Sequence, residues 1–390
     1  MKKYLTMIAG ALLITACSND LDLANDSQSS GNAIKFKMVM AGDDGQTRAA
    51  NEITPTNWDT QKFGVFAAYT GRLKYEQTTV SCDYMYNQEV KKTGGKWQYN
   101  PLKYWPNDTL EYISFYAYAP YTDKMASDDE GGIVDMSRNY DLGDPWINFR
   151  LPSRPWKTAT EEANQVDLLY MQHRTGAGTT ADPYKYDPWD NQSNPMKTDS
   201  TMNFVFMHAL ACVGDTVRIR LADELSTLVS GYATFTLDSI SIVYKNLTTK
   251  ARLILRTTNA FPNWKEIISG ELTTTRTFTH KFNTPVVITN EAFTEDATHL
   301  TALDGSGLLY IPLQVRGTQP AIAEVHVIYT VNNGVTNYQG ESVGQFALDN
   351  EIHGKKQSIH LTLGKDIPLH HLVLEFLGIA ATDPSFSRTK

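Results

Sequence analysis

Two residues in the first fifty carry chemistry by type and setting. Cys17 follows Leu13-Ile14-Thr15-Ala16, so small residues lead into a thiol that can take a covalent group. Arg48 lies between Thr47 and Ala49, just past the Gly/Asp loop 41–46. Small, exposed loop residues of this kind are where proteolysis concentrates. Both events would be done to the chain: acylation of a thiol, and hydrolysis of the Arg48–Ala49 peptide bond. Nothing comparable equips the chain to act on a substrate. There is no GxSxG, HExxH or P-loop pattern. His370 and His371 are adjacent, and on a strand they would face opposite sides, so they do not share a metal. His208 sits in an apolar run and reads as a satisfied core residue, while His353 and His360 lack an acid or thiol partner at ligand spacing. The acidic runs Asp43-Asp44 and Asp128-Asp129-Glu130 lack EF-hand spacing, and no CxxC occurs. The sequence therefore predicts no catalytic residue, no metal site and no cofactor.

The elements around the two reactive positions explain them. Lys2 and Lys3 precede an apolar run, Leu5 to Ile14, that is too short to span a bilayer. It reads as a signal segment, residues 1–16. The residues ahead of Cys17 resemble a bacterial lipobox, whose leader is cut before a Cys that then carries lipid; plain secretion is the alternative. Ser18 to Ser30 is polar and acidic, as suits a tether. Asp20 and Asp22 so near the Cys are also similar to surface-export signals of Bacteroidetes lipoproteins. Next comes Ile34-Lys35-Phe36-Lys37-Met38-Val39-Met40, whose alternation predicts a strand with Ile34, Phe36 and Met38 on its buried face. A cut at Arg48 would sever that strand from everything downstream.

At 390 residues the chain has room for two domains of ordinary size. A formal charge of −8 argues against nucleic acid as a partner. With Cys17 committed to lipid, only Cys82 and Cys212 remain, and they are either a disulfide or two buried free thiols.

Short runs rich in Tyr, Thr, Phe and β-branched residues follow one another with no long helical period. Strands are predicted at Phe63 to Tyr69, Trp97 to Tyr99, Tyr112 to Ala119 (stopped by Pro120) and Val166 to Tyr170. Arg174 to Thr201 is rich in Gly, Asp, Asn, Pro and Thr and reads as a linker. Further strands are predicted at Met202 to Leu210, Thr216 to Leu221, Ala233 to Leu237, Ser239 to Tyr244 and Ala251 to Leu255. The last candidates are Leu308 to Pro312, Ala323 to Val331, Ser358 to Leu363 and Leu369 to Ile379. Such a series predicts an all-β chain of two tandem β-sandwich domains. Their expected bounds are 49–197 and 198–390, after a lipidated propeptide, 17–48.

An ordered set of motifs resembles the fimbrillin-like proteins of Bacteroidetes, subunits of protease-assembled pili. The set runs from the Cys17 lipobox and the strand before Thr47-Arg48-Ala49 to Trp58 with Phe63-Gly64-Val65-Phe66. It continues through Tyr104-Trp105-Pro106 and Phe115-Tyr116-Ala117-Tyr118-Ala119-Pro120. It ends with Asp167-Leu168-Leu169-Tyr170 and Phe204-Val205-Phe206-Met207-His208-Ala209-Leu210. These motifs cover roughly residues 1–220, and beyond them the likeness is one of style, through Gly354-Lys355-Lys356 and the strand Ser358 to Leu363. The resemblance implies transthyretin-like sandwiches and delivery to the outer membrane on the Cys17 lipid. It implies a cut by an arginine-specific protease between Arg48 and Ala49, and loss of the first strand with its plugs Ile34, Phe36 and Met38. A neighbouring subunit's C-terminal strand then fills the groove. The implied partners are other fimbrillin subunits, the protease, the outer membrane and a host or bacterial surface ligand. The candidate donor strand carries Leu372, Leu374 and Phe376 on one face; it is either a donor or an ordinary last strand of its own domain. An intact cut site argues for a stalk or tip subunit over an anchor. The other reading is an outer-surface glycan-binding lipoprotein, with Trp146, Trp156 and Trp189 stacking on sugars; these tryptophans otherwise anchor long loops.

Overall fold

The computed structural model describes residues 33–40, 53–54, 57–75, 78–108, 110–127, 130–151, 165–172, 174–175, 185–186, 192–193, 201–229, 233–257, 262–266, 272–290, 309–311, 321–348 and 356–364. Cys17, Arg48, Ala49, Trp156, Trp189 and the candidate donor residues Leu372, Leu374 and Phe376 lie outside that set.

Residues of strand-forming type fold here almost wholly as strands. The first half supplies β1 (Lys35–Met40), β2 (Lys62–Gly71), β3 (Met85–Thr93), β4 (Lys96–Gln98), β5 (Tyr112–Ala119), β6 (Gly132–Met136), β7 (Trp146–Arg150) and β8 (Leu169–Gln172). Three two-residue strands follow: β9 (Arg174–Thr175), β10 (Lys185–Tyr186) and β11 (Gln192–Ser193). Then come β12 (Thr201–His208), β13 (Ala211–Leu221), a short helix α1 (Asp223–Val229), β14 (Thr234–Thr248), β15 (Lys250–Ile254) and β16 (Asn263–Glu266). The remainder are β17 (Leu272–Val287), β18 (Leu309–Ile311), β19 (Ile322–Asn332), β20 (Asn337–Ala347) and β21 (Lys356–Leu363).

The largest sheet runs β1-β12-β8-β5-β2-β3-β4, with β11 added beside β5. Its central strands are buried on both faces, which is why they read as nearly unbroken apolar runs. Phe63, Val65, Ala67, Phe115, Ala117, Leu169 and Met171 point into one core with Ile34, Phe36, Phe204 and Phe206. The alternate residues Phe66, Ala68, Tyr116, Tyr118 and Tyr170 point into a second core. That second core continues through Ile147 and Phe149 of β7, then Leu253 of β15, to Leu237, Ile240 and Ile242 of β14 and Val325 and Val327 of β19.

β11 and β12 lie in the same sheet. β12 is hydrogen-bonded between β1 and β8 in the first sheet, and β15 pairs with β7. The apolar alternation of β12 needs the first core, whatever the composition of the segment before it. That segment also supplies β11, paired with Ile113 and Ser114 of β5. The two strands expected at Ala233 to Leu237 and Ser239 to Tyr244 are one, β14, with a bulge at Asp238. The Asp238 carboxylate earns its place there by accepting from Thr330 Oγ1 (2.7 Å) and Gln339 Nε2 (3.1 Å). Cys82 is a buried free thiol, so it is not paired with Cys212.

Candidate functional site

Among the described strands, the one ahead of the predicted cut lies at the edge of its sheet and pairs with β12 alone. β1 runs parallel to β12, in the register Lys35↔Thr201, Phe36↔Met202, Met38↔Phe204 and Met40↔Phe206. Its alternation is a true facial split. Ile34 (1 % exposed) and Phe36 (6 %) are in the core, and Met38 and Met40 pack half-buried against it. Lys35 and Lys37 are exposed, the usual device by which an edge strand resists further pairing.

Phe36 fills a box of rings. Its centroid lies 5.1 Å from Phe204, 5.3 Å from Tyr99, 6.1 Å from Phe115 and 6.3 Å from Phe63, with the Phe63 and Phe115 contacts edge-to-face. Such geometry adds attraction beyond burial alone. Trp58 extends the same aromatic core, 4.9 Å from Phe206.

A strap after β4 closes over the start of β1. Ile34 N–H donates to Lys103 O (2.9 Å), and Ala33 bridges Tyr104 antiparallel. The Tyr99 hydroxyl donates to Ile34 O at 2.9 Å. Burial pushes the Tyr99 phenol up to about 12, so the proton it donates stays in place at any physiological pH. Tyr84 OH donates to Tyr104 O and ties the strap to the strand beside it. β1 is thus held by main chain along one edge and by a strap at its N-terminal end.

Beyond the predicted cut, Ile53 and Thr54 are both buried. Ile53 N–H donates to Asp167 Oδ2 at 2.9 Å, and the other oxygen of that carboxylate lies 2.9 Å from His208 Nδ1. The Asp167 side chain is 1 % exposed. A buried carboxylate is tolerated only when its oxygens are satisfied, and here one is met by main chain and one by imidazole. His208 lies two residues past Phe206, the last residue of β12 paired with β1, and Ala209 N–H donates to Leu168 O at 2.8 Å. The anchor therefore sits where β1 ends. His208 is satisfied, as its place in an apolar run predicts, but its partner is 41 residues away in sequence. The signal was present as a lone Asp in the apolar run Val166 to Tyr170.

The motifs spread over residues 34–210 divide between the two cores on either face of the first sheet. Gly64 is required by contact: a Cβ there would come within 2.3 Å of the Tyr118 ring and 2.7 Å of Asn87 Oδ1. Tyr118 OH in turn donates to Asn87 Oδ1 (2.7 Å). Trp146, a candidate sugar platform, carries the Arg252 guanidinium 3.7 Å from its ring centroid, which takes that face. Among the described residues no group of three His, Cys, Asp or Glu is placed to hold a metal, and no helix is long and apolar enough to cross a membrane.

The nearly all-strand architecture has solved counterparts. The chain is similar to a fimbrial protein from Bacteroides vulgatus ATCC 8482, at 18 % identity and a TM-score of 0.57, over 85 % of this chain and 95 % of that one. The likeness establishes a shared all-β fold. Looser likenesses are to a candidate cell adhesion protein from Bacteroides ovatus ATCC 8483 (10 % identity, 86 % and 92 % covered, TM-score 0.35) and another from Parabacteroides distasonis ATCC 8503 (9 % identity, 85 % and 92 % covered, TM-score 0.36). No family model and no curated protein matches the chain.

Proposed function

We propose that this chain is a fimbrillin-like structural subunit, stalk or tip, of an adhesive surface fimbria. Lipid on Cys17 delivers it to the outer membrane. An arginine-specific protease cuts between Arg48 and Ala49, β1 leaves, and a strand from another copy takes its place. The observation that carries this reading is the seating of β1, which among the described strands lies at the edge of its sheet, with Phe36 and the adjoining Ile34 filling the core.

Energetics support it. Full burial of one large apolar side chain contributes about 1.5–3 kcal/mol. Emptying the Ile34 and Phe36 positions would forfeit roughly 3–6 kcal/mol, before counting the ladder to β12. Main-chain groups left unpaired in the groove cost about 1–3 kcal/mol each. An open groove of this kind templates an incoming strand. The Asp167–Ile53 bond would hold the new N-terminal segment in place as β1 departs.

The test uses purified unlipidated precursor treated with an arginine-specific protease. Expected are a new N-terminus at Ala49, release of the fragment containing Ile34 to Met40, and multimers on incubation. Arg48→Ala should block all three. Multimers that form equally well from Arg48→Ala protein would overturn the proposal.

A further inference from the structure

The groove that β1 occupies sets demands that differ from position to position. At residue 36 the occupant must fill a box of four aromatic rings. At residue 34 it must fill a closed apolar chamber and carry a main-chain N–H for Lys103 O and a carbonyl for Tyr99 OH. At residue 38 the demand is lax, since Met38 is only half-buried. At 35 and 37 the side chain faces outward. The order of requirement is therefore ring first, large aliphatic second, and almost anything third.

Leu372 to Ile379 meets these demands in one direction only. Phe376 is the sole Phe, Tyr or Trp between 369 and 379. With Phe376 in the Phe36 box, a strand parallel to β12 puts Leu374 in the Ile34 chamber, with Gly378 at the lax Met38 position and Val373 beside Tyr104. Glu375 then faces outward where Lys35 does. Running antiparallel with the same residue in the box, Gly378 would fall in the Ile34 chamber and leave it empty. A void among fixed side chains is the costlier outcome, because a well-packed core collapses only in part.

We infer that the β1 groove accepts residues 373–379 of a second copy of this chain, parallel to β12, with Phe376 in the aromatic box and Leu374 in the Ile34 chamber. This rests on the strand-exchange reading above and adds to it the direction, the register and the residue that sets them. The box acts as the specificity pocket, and the strap residues Tyr99, Lys103 and Tyr104 check the N-terminal end of whatever enters.

Cysteine pairs distinguish the two directions. Lys35 is opposite Thr201, so in the inferred register residue 375 of one copy faces Thr201 of the next. In the antiparallel arrangement residue 377 would face it. Full-length Thr201→Cys/Glu375→Cys and Thr201→Cys/Leu377→Cys proteins are processed with the protease, allowed to multimerise and oxidised with copper phenanthroline. Linked peptides are then read by mass spectrometry. The expected result is a 201–375 link between copies with little or no 201–377 link, since a disulfide needs Cα atoms within roughly 7 Å. Phe376→Ala should slow multimerisation at least about tenfold, and Phe376→Tyr should slow it far less. If processed wild-type protein stays monomeric, the strand-exchange reading itself fails. If multimers form but 201 links to 377, or to neither, the exchange stands and the inferred direction and register are wrong.

Discussion

Replacing Phe36 with alanine in the uncut protein deletes a ring that is 6 % exposed and touches four other rings. Core Phe→Ala changes cost about 3–5 kcal/mol, the transfer loss and the residual cavity together. Two local features decide where in that range the value falls. The box walls Phe63, Phe115 and Phe204 belong to β2, β5 and β12, all held within the sheet, so collapse is limited. β1 itself is an edge strand and can shift inward, which pulls the cost toward the lower end, about 3 kcal/mol. With a urea slope of about 3 kcal/mol per M, the midpoint should fall by about 1 M. Tryptophan emission is a suitable signal, because Trp58 and Trp105 are buried in the same core as Phe36. Lys35→Ala, one residue away and exposed, should stay within about 0.5 kcal/mol of wild type. After cleavage and removal of β1 the Phe36→Ala and wild-type proteins are the same molecule, so the difference must vanish. A midpoint shift below about 0.3 M in uncut protein, or a difference that persists once the strand is gone, would refute the assignment of Phe36 as the plug of this core.

The other expectations are independent of that one. Gly64→Ala drives a methyl into the Tyr118 ring and Asn87 and should destabilise by about 1–3 kcal/mol in the same urea titration. Asp167→Ala leaves the Ile53 N–H without its acceptor and the His208 ring without its carboxylate; the expected loss is about 1–3 kcal/mol, with faster amide exchange at Ile53. Burial raises the Cys82 thiol to about 12, so iodoacetamide at pH 8 should leave Cys82 unlabelled in folded protein and alkylate it in urea. Hydrogen bonding to Glu341 raises the His326 pKa against the opposing effect of burial, and Glu324 adds to the rise. Stability from this pair is thus complete below the ordinary imidazole value of 6.5 and is lost as pH rises through the higher folded value. NMR titration should show a His326 midpoint above that of an unfolded His, moving down in Glu341→Gln.

What was legible in the sequence follows from how local each determinant is. β1, β2, β5 and β12 announce themselves because core contact on one or both faces is written into consecutive residues. β17 and β20 were not foreseen, since LTTTRTFTHKFNTPVV and NYQGESVGQFA carry little apolar alternation. β20 exists because β19 pairs with it along its whole length, and its one buried residue, Gly340, lies where a Cβ would strike the Tyr329 ring at 2.6 Å. The site divides in the same way. Ile34, Phe36 and Met38 could be picked out by period alone. Tyr99 and Asp167 could not, because their bonds to Ile34 and Ile53 span 65 and 114 residues. That division bears on the function proposed. A strand whose placement is decided by its own short alternation could be replaced by another segment with the same alternation and a ring at the position of Phe36. What the replacement cannot supply is its own register. In the exchange proposed, that would come from the parts fixed by distant contacts, the aromatic box and the strap, which would stay with the body of the protein.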